Sequence, residues 1–412
     1  MSTNKFPEMQ ISKKVEGIPE ALSIYVNQLV YAEKRKGIDV TTLSLGEAFF
    51  DIPMFDFKEL NFEKGYHYSE SYGIPELREK IVKYYNSMYG ANINGIDEVL
   101  ISCGSKPIIY MVIQAILNEG DEVLIHEPSW LSYQEQIKLA NGVPKFIPYD
   151  CTVKDFNHYY TNKTKILILN NPNNPAGWIY SKEELELLYG ECRKKGIYIL
   201  VDEAYSDFID DGLFTSLAAV APDLDGAVVV NSLSKNMGIS GWRIGYVIAE
   251  KRLIHNILKL NQHLITCAPT ILQMYLARYF DDIIKITLPQ AKEVIKKRKR
   301  IKTYMDSIKL SYLPGDSTFY FFVSIDEFED SVLDLSMYLL FRYGISTVPG
   351  DAYGKSTGKF IRIGIGVESE ERLKNALDII KAVIESKYVD QAFIDKKLKE
   401  NGFQRFKRGE LT

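Results

Sequence analysis

The sequence predicts an α/β protein: a mostly parallel central sheet covered by helices, with a smaller α+β domain beside it. Three observations lead there. Short, unbroken apolar runs alternate with amphipathic helical stretches from about residue 98 to 250. Strands buried on both faces read as continuous Val, Ile and Leu runs, whereas half-exposed strands alternate with polar residues. The 412-residue length is more than one small core serves and suggests about two domains.

The elements follow in order. EVLIS (98–102) precedes a helix through IIYMVIQAIL, and DEVLIHE (121–127) precedes another. VPKFIPY (143–149) and TKILILN (164–170) come next, then a helix opened by a capping box of Ser181 and Glu184. IYILVDEAY (197–205), GAVVVNSL (226–233) and WRIGYVIA (242–249) complete the run. A long helical pattern spans about 250–310. The strands TFYFFVSI (318–325), GISTVPG (344–350) and FIRIGIG (360–366) then lead to a closing helix. We expect a large domain over 46–285 and a small one built from 1–45 and 286–412. The charged tail DKKLKENGFQRFKRGELT is expected to be a loose helix or disordered.

Composition narrows the function. Hydrophobic residues make up 46% and charged residues 25%, as in ordinary globular proteins, and the net charge of -4 argues against nucleic acid as main partner. The basic run KKRKR (296–300) reads as a solvated helix face. Four cysteines stand scattered at 103, 151, 192 and 267, which fits a reducing compartment. The five histidines show no metal-ligand spacing, so no metal is expected. No apolar run reaches the ~18 residues of a membrane span. The expectation is a cytoplasmic protein without membrane or metal.

Ligands of such sheets bind beyond the strand carboxyl ends, and that is where the polar motifs fall. NNPNNPAGWIYS (170–181) is a turn, and Asn174 is either part of a stiff loop or an amide aimed at a ligand. Asp202, directly after IYILV, is a structural ion-pair partner, a helix cap, or a counter-ion for a bound cation, with Tyr205 three residues on. SCGSKPI (102–108) places Gly104 and Ser105 at a helix start, either a plain turn or a phosphate cradle. Arg362, inside an apolar strand, suits a carboxylate or an internal salt bridge. The GxGxxS of IRIGIGVES lacks the βαβ unit a dinucleotide loop needs. Lys235, in SLSKNMGISGWRIGY, is a snorkelling or ion-paired lysine unless its neighbours matter. Ser232, Ser234 and Arg243 beside it offer anion-binding groups. An anion site, a carboxylate, a phenol and a lysine at strand ends fit one ligand, pyridoxal phosphate, whose use needs a Schiff-base lysine and an acidic partner for the ring nitrogen.

Together NPxNPxG, DEAY and SLSKxxGxxGWRxGY, in that order, resemble the class I aminotransferases among the fold-type I pyridoxal-phosphate enzymes, from about residue 43 to 385. The resemblance implies that Lys235 is the Schiff-base lysine and proton shuttle and that Asp202 pairs with the pyridine nitrogen. It implies that Tyr205 and Asn174 bond the ring 3-oxygen, and that Gly104, Ser105, Ser232 and Arg243 hold the phosphate. Trp130 is similar to the aromatic that stacks on the ring. Tyr68 is similar to the tyrosine that reaches the neighbouring subunit's cofactor, which implies a homodimer with shared active sites. Arg362 resembles the arginine that binds the substrate α-carboxylate, assisted by Asn174.

Lys106 resembles a lysine that pairs with a distal carboxylate in a bacterial aspartate aminotransferase branch, which favours glutamate or aspartate as donor. Ala48 and Phe49 depart from the usual Pro-Asp, and Pro107 and Ile108 from Gln-Ala, at the substrate entrance. The alternatives are a pyridoxal-phosphate-dependent lyase, cyclase or decarboxylase on the same fold, and a non-catalytic sensor. Such sensors carry an added DNA-binding domain, for which the residues before the likeness leave no room.

Overall fold

The computed structural model describes residues 9–406. Seven strands form the large sheet: β1 (Val99–Ser102), β2 (Glu122–His126), β3 (Val143–Ile147), β4 (Thr164–Asn170), β5 (Tyr198–Asp202), β6 (Ala227–Ser232) and β7 (Gly245–Ala249). Their spatial order is β1-β7-β6-β5-β4-β2-β3, and every pairing is parallel except the two that β7 makes. The apolar runs explain the burial. Alternate residues of one strand enter different cores: Ile199 and Val201 pack on one face, Leu200 on the other. The edge strand β3 instead alternates exposed and part-buried residues. The helix after β4, Lys182–Lys194, starts with the reciprocal cap, Glu184 N donating to Ser181 Oγ at 3.2 Å and Ser181 N to Glu184 Oε2 at 2.8 Å.

A second core gathers around β8 (Tyr320–Ser324), β9 (Val348–Pro349) and β10 (Phe360–Gly364), which pair antiparallel in the order β9-β10-β8. The run 344–350, read as one strand, divides. Ile345–Ser346 pairs with Thr41–Thr42, and only Val348–Pro349 joins β10. The helix Thr270–Ser307 serves both cores: Tyr275, Phe280 and Ile283 belong to the first, Ala291, Ile295 and Ile301 to the second. The N-terminal helix Leu22–Arg35 packs against Val332–Tyr343 and Gln391–Glu400.

Two readings need correction. KKRKR is not wholly a solvated face, because Arg298 is buried among its exposed neighbours. Its guanidinium donates to the carbonyls of Tyr320 and Gly315 and lies 4.0 Å from the Phe321 ring centre, so carbonyl oxygens and an aromatic face replace water. The tail is not loose over 391–400, since a regular helix there buries Ile394 and Leu398; residues 407–412 lie outside the described residues. The dinucleotide-like glycines pack instead against backbone: a Cβ on Gly366 would stand 2.4 Å from the Glu47 carbonyl.

Close approach also governs the site edge. A Cβ on Gly245, where β7 starts, would lie 2.5 Å from Ser105 N and 2.6 Å from Gly104 C. Neither is a flexible side-chain end, so Gly245→Ala should cost about 1–3 kcal/mol of stability. Urea unfolding reads it as a lower midpoint; an unchanged midpoint would show that the turn gives way freely.

Candidate active site

The carboxyl ends of β4, β5 and β6 bring Asn170, Asp202 and Ser232 to one edge of the sheet, and antiparallel β7 begins at the same edge, with Gly245 opposite both Ser232 and Ser102. A cavity of about 150 Å³ opens there. Lys235, Asp202, Tyr205 and Asn174 line it, with Ser105, Ser232 and Arg243 on one side and Trp130 and Lys106 on another. Gly104 precedes the lining residue Ser105, and Arg362 bonds the lining residue Asn174. Tyr68 does not join them; it is 85% exposed and lines a separate surface cleft.

Lys235 sits on a one-turn helix (Leu233–Asn236) that directly continues β6 and is capped by Ser232, whose hydroxyl accepts from Ser234 N at 3.1 Å. The lysine Nζ donates to the Gly46 carbonyl at 2.6 Å. Burial lowers its pKa to about 8, against the partial support of Glu47. Asp202 faces the opposite pressure. Burial raises its pKa, while the Tyr133 hydroxyl (2.7 Å), the Ala204 N–H (3.1 Å) and the charge of Lys235 favour the carboxylate. A buried carboxylate and a part-buried amine thus share one cavity, each poised to change protonation when a charged group enters.

The anion-binding side is built from backbone and arginine. Gly104 has φ +86°, and a Cβ there would fall 2.6 Å from Arg243 Nη2. Arg243 itself adopts a left-handed φ of +57°, uncommon for a residue with a side chain, and Nη1 donates to the Ser240 carbonyl at 2.8 Å. Its guanidinium therefore lies against the start of the helix Ser105–Ile116, where free N–H groups point outward.

The carboxylate side centres on Arg362. Its Nη1 donates to Asn174 Oδ1 at 3.3 Å and its Nη2 to the Ser44 carbonyl at 2.8 Å. Among the described residues it forms no salt bridge; burial opposes its charge, and the phenols of Tyr353, Tyr320 and Tyr205 more than offset that. Asn174 Nδ2 in turn donates to Tyr205 Oη at 3.3 Å. Lys106 stands at the mouth, Nζ 5.0 Å from the Trp130 ring centre, its pKa lowered by partial burial and by Arg243.

Four contributors escaped the sequence reading. Tyr133 and Tyr320 are side chains, and the carbonyls of Ser44 and Gly46 are backbone. Tyr133 lies three positions after Trp130, in the same SWLSY stretch, and its ring packs edge-on against that indole. Among the described residues no cluster of metal-ligating side chains occurs, and no helix is long and apolar enough to cross a membrane.

Comparison with known proteins gives the family. A model of the family "Aminotransferase class I and II" matches residues 47–380. Aspartate aminotransferase of Sulfurisphaera tokodaii is 28% identical over 390 residues, covering 88% of this chain and 96% of that protein. A probable aspartate/prephenate aminotransferase of Aquifex aeolicus is 32% identical over 380 residues, covering 85% and 93%. The structure of Thermus thermophilus aspartate aminotransferase with maleate matches with a TM-score of 0.84 at 26% identity, over 92% of this chain and 100% of that one. The fold is that of the fold-type I transferases. Within them the chain belongs to the class I and II aminotransferases, and it is an enzyme that moves an amino group from an amino acid to a 2-oxo acid. The lyase or cyclase alternative is not favoured.

The low pKa of Lys235 has a direct readout. In cofactor-free protein an amine-reactive label, followed at this residue by peptide mass spectrometry, should reach half its maximal rate near pH 8. An ordinary lysine does so near a pKa of about 10.4. Labelling of Lys235 that rises only above pH 10 would contradict its burial as a neutral amine.

Proposed function

We propose that this aminotransferase uses pyridoxal 5′-phosphate held through Lys235, and takes glutamate or aspartate as amino donor. The observation that carries the reading is one cavity with an amine, a buried carboxylate, a phenol and an anion cradle, set around its walls. The residues fit the group. The bare Cα of Gly104 leaves Arg243 room beside the helix start, which suits a phosphate. Asp202, buried and held towards its carboxylate form by the Tyr133 hydroxyl and the Ala204 N–H, suits a protonated ring nitrogen. Tyr205 and Asn174 suit the ring 3-oxygen, and the Trp130 indole the ring face.

When bound, the cofactor supplies an aldehyde for amine exchange and a ring that withdraws electrons from the substrate Cα–H bond. The protein does the rest. Arg362 and Asn174 fix the α-carboxylate and so orient the Cα–H bond. Lys235 Nζ, half of it already deprotonated near pH 8, is the base that takes the α-proton and carries it within the cavity. Asp202 keeps a positive charge opposite it. Lys106, at the mouth, is the cation for a distal carboxylate.

Two copies are proposed to share their sites, with Tyr68 reaching the phosphate of the other; its 85% exposure supports this. The cytoplasm is the proposed compartment, and four free cysteines support it.

The test is a visible spectrum of cofactor-loaded protein mixed with L-glutamate or L-aspartate, each without acceptor. The yellow band should bleach as keto acid is released. In Lys106→Ala the concentration needed should rise about 10- to 100-fold for these acids, the worth of a charged hydrogen bond, and little for neutral amino acids. A band indifferent to both acids would refute the donor, and an equal rise for neutral amino acids would remove Lys106 from side-chain recognition.

A further inference from the structure

Tyr320 belongs to none of the motifs that mark the site, yet it touches both of its halves. It lies on β8, where Arg362 of β10 pairs with Phe322 and Gly364 with Tyr320. Arg362 and Tyr320 are therefore diagonal neighbours on one face of an antiparallel pair, within reach of each other. The guanidinium carbon lies 4.4 Å from the Tyr320 ring centre, with Tyr353 at 5.4 Å. The Tyr320 hydroxyl stands 3.0 Å from that of Tyr205. A closed circuit results: Arg362 to Asn174, Asn174 to Tyr205, Tyr205 to Tyr320, and Tyr320 back to Arg362 through its ring. A Cβ on Gly46 would come 3.1 Å from Tyr320 Oη, so the same hydroxyl borders the residue whose carbonyl holds Lys235. Arg298 fixes the strand from behind by donating to the Tyr320 carbonyl.

We propose that Tyr320 is a positioning residue that couples the two halves: its ring holds the plane of the carboxylate-binding Arg362 while its hydroxyl holds that of Tyr205, so a carboxylate seated on Arg362 is felt at Tyr205. This rests on the cofactor reading above. A carboxylate on Arg362 draws charge away from the ring faces that share the guanidinium. It also competes with Asn174 Oδ1 for Nη1, and Asn174 shifts on Tyr205. Tyr320 gives Tyr205 a second, fixed partner, and a chain of hydroxyls transmits such a change better than one isolated bond.

The test is a pH titration of the visible band of loaded protein, with and without succinate, a dicarboxylate that has no amino group. In the unaltered protein succinate should move the titration midpoint. In Tyr320→Phe the band should persist, the succinate-induced shift should fall by at least half, and kcat should drop about three- to tenfold, the worth of one hydrogen bond. Tyr205→Phe should lose the shift as well, and adding Tyr320→Phe to it should cause no further loss. An undiminished shift in Tyr320→Phe would overturn the coupling while leaving the cofactor reading intact. A visible band absent from the unaltered protein would overturn both.

Discussion

Taking a charged ammonium out of water into the wall of a cavity is expensive, and a desolvated lysine meets that cost by losing its proton more easily. Lys235 does so at the end of β6, held by a single carbonyl, that of Gly46. Everything around it serves this one placement. The strand must run buried to its last residue, the one-turn helix must follow without a loop, and Ser232 must cap it. Asp202, one strand away, is the negative partner for a protonated Lys235 or for a cationic ligand. The field in the cavity is thus arranged before any substrate arrives, which is how preorganised sites lower barriers.

The two cores meet at this point. The large sheet supplies the lysine, the carboxylate and the anion cradle, and the smaller one supplies Arg362 and Tyr320. The segment Ser44–Gly46 links them, since Arg362 donates to the carbonyl of Ser44 and Lys235 to that of Gly46. One short stretch of backbone therefore ties Arg362, the proposed carboxylate binder, to Lys235, the proposed proton carrier. The helix Thr270–Ser307 holds the same relation on the outside, with one end in each core.

Much of this was legible in the residues. Continuous apolar runs marked the strands, and the polar residue ending each run marked the edge where the site lies. Asp202 and Lys235 stood out because charge at the end of a buried run needs a reason. What stayed hidden shares a different property. The carbonyls of Ser44 and Gly46 carry no side-chain signature. Tyr320 is one aromatic in TFYFFVSI, and only the register against Arg362 distinguishes it. Tyr133 meets Asp202 across 69 positions of chain. Arg298 was masked by lysines, although Ala291, Ile295, Arg298, Ile301 and Met305 form a buried stripe at helical spacing that the pattern contained.

The central claim is that Lys235, and no other lysine, carries the cofactor. Reducing the loaded protein with borohydride would fix that bond covalently, and peptide mass spectrometry would then locate it. The account predicts one pyridoxyl adduct, on the peptide that holds Lys235. An adduct on Lys106 or any other lysine, or no adduct on a protein that has bound the cofactor, would contradict it.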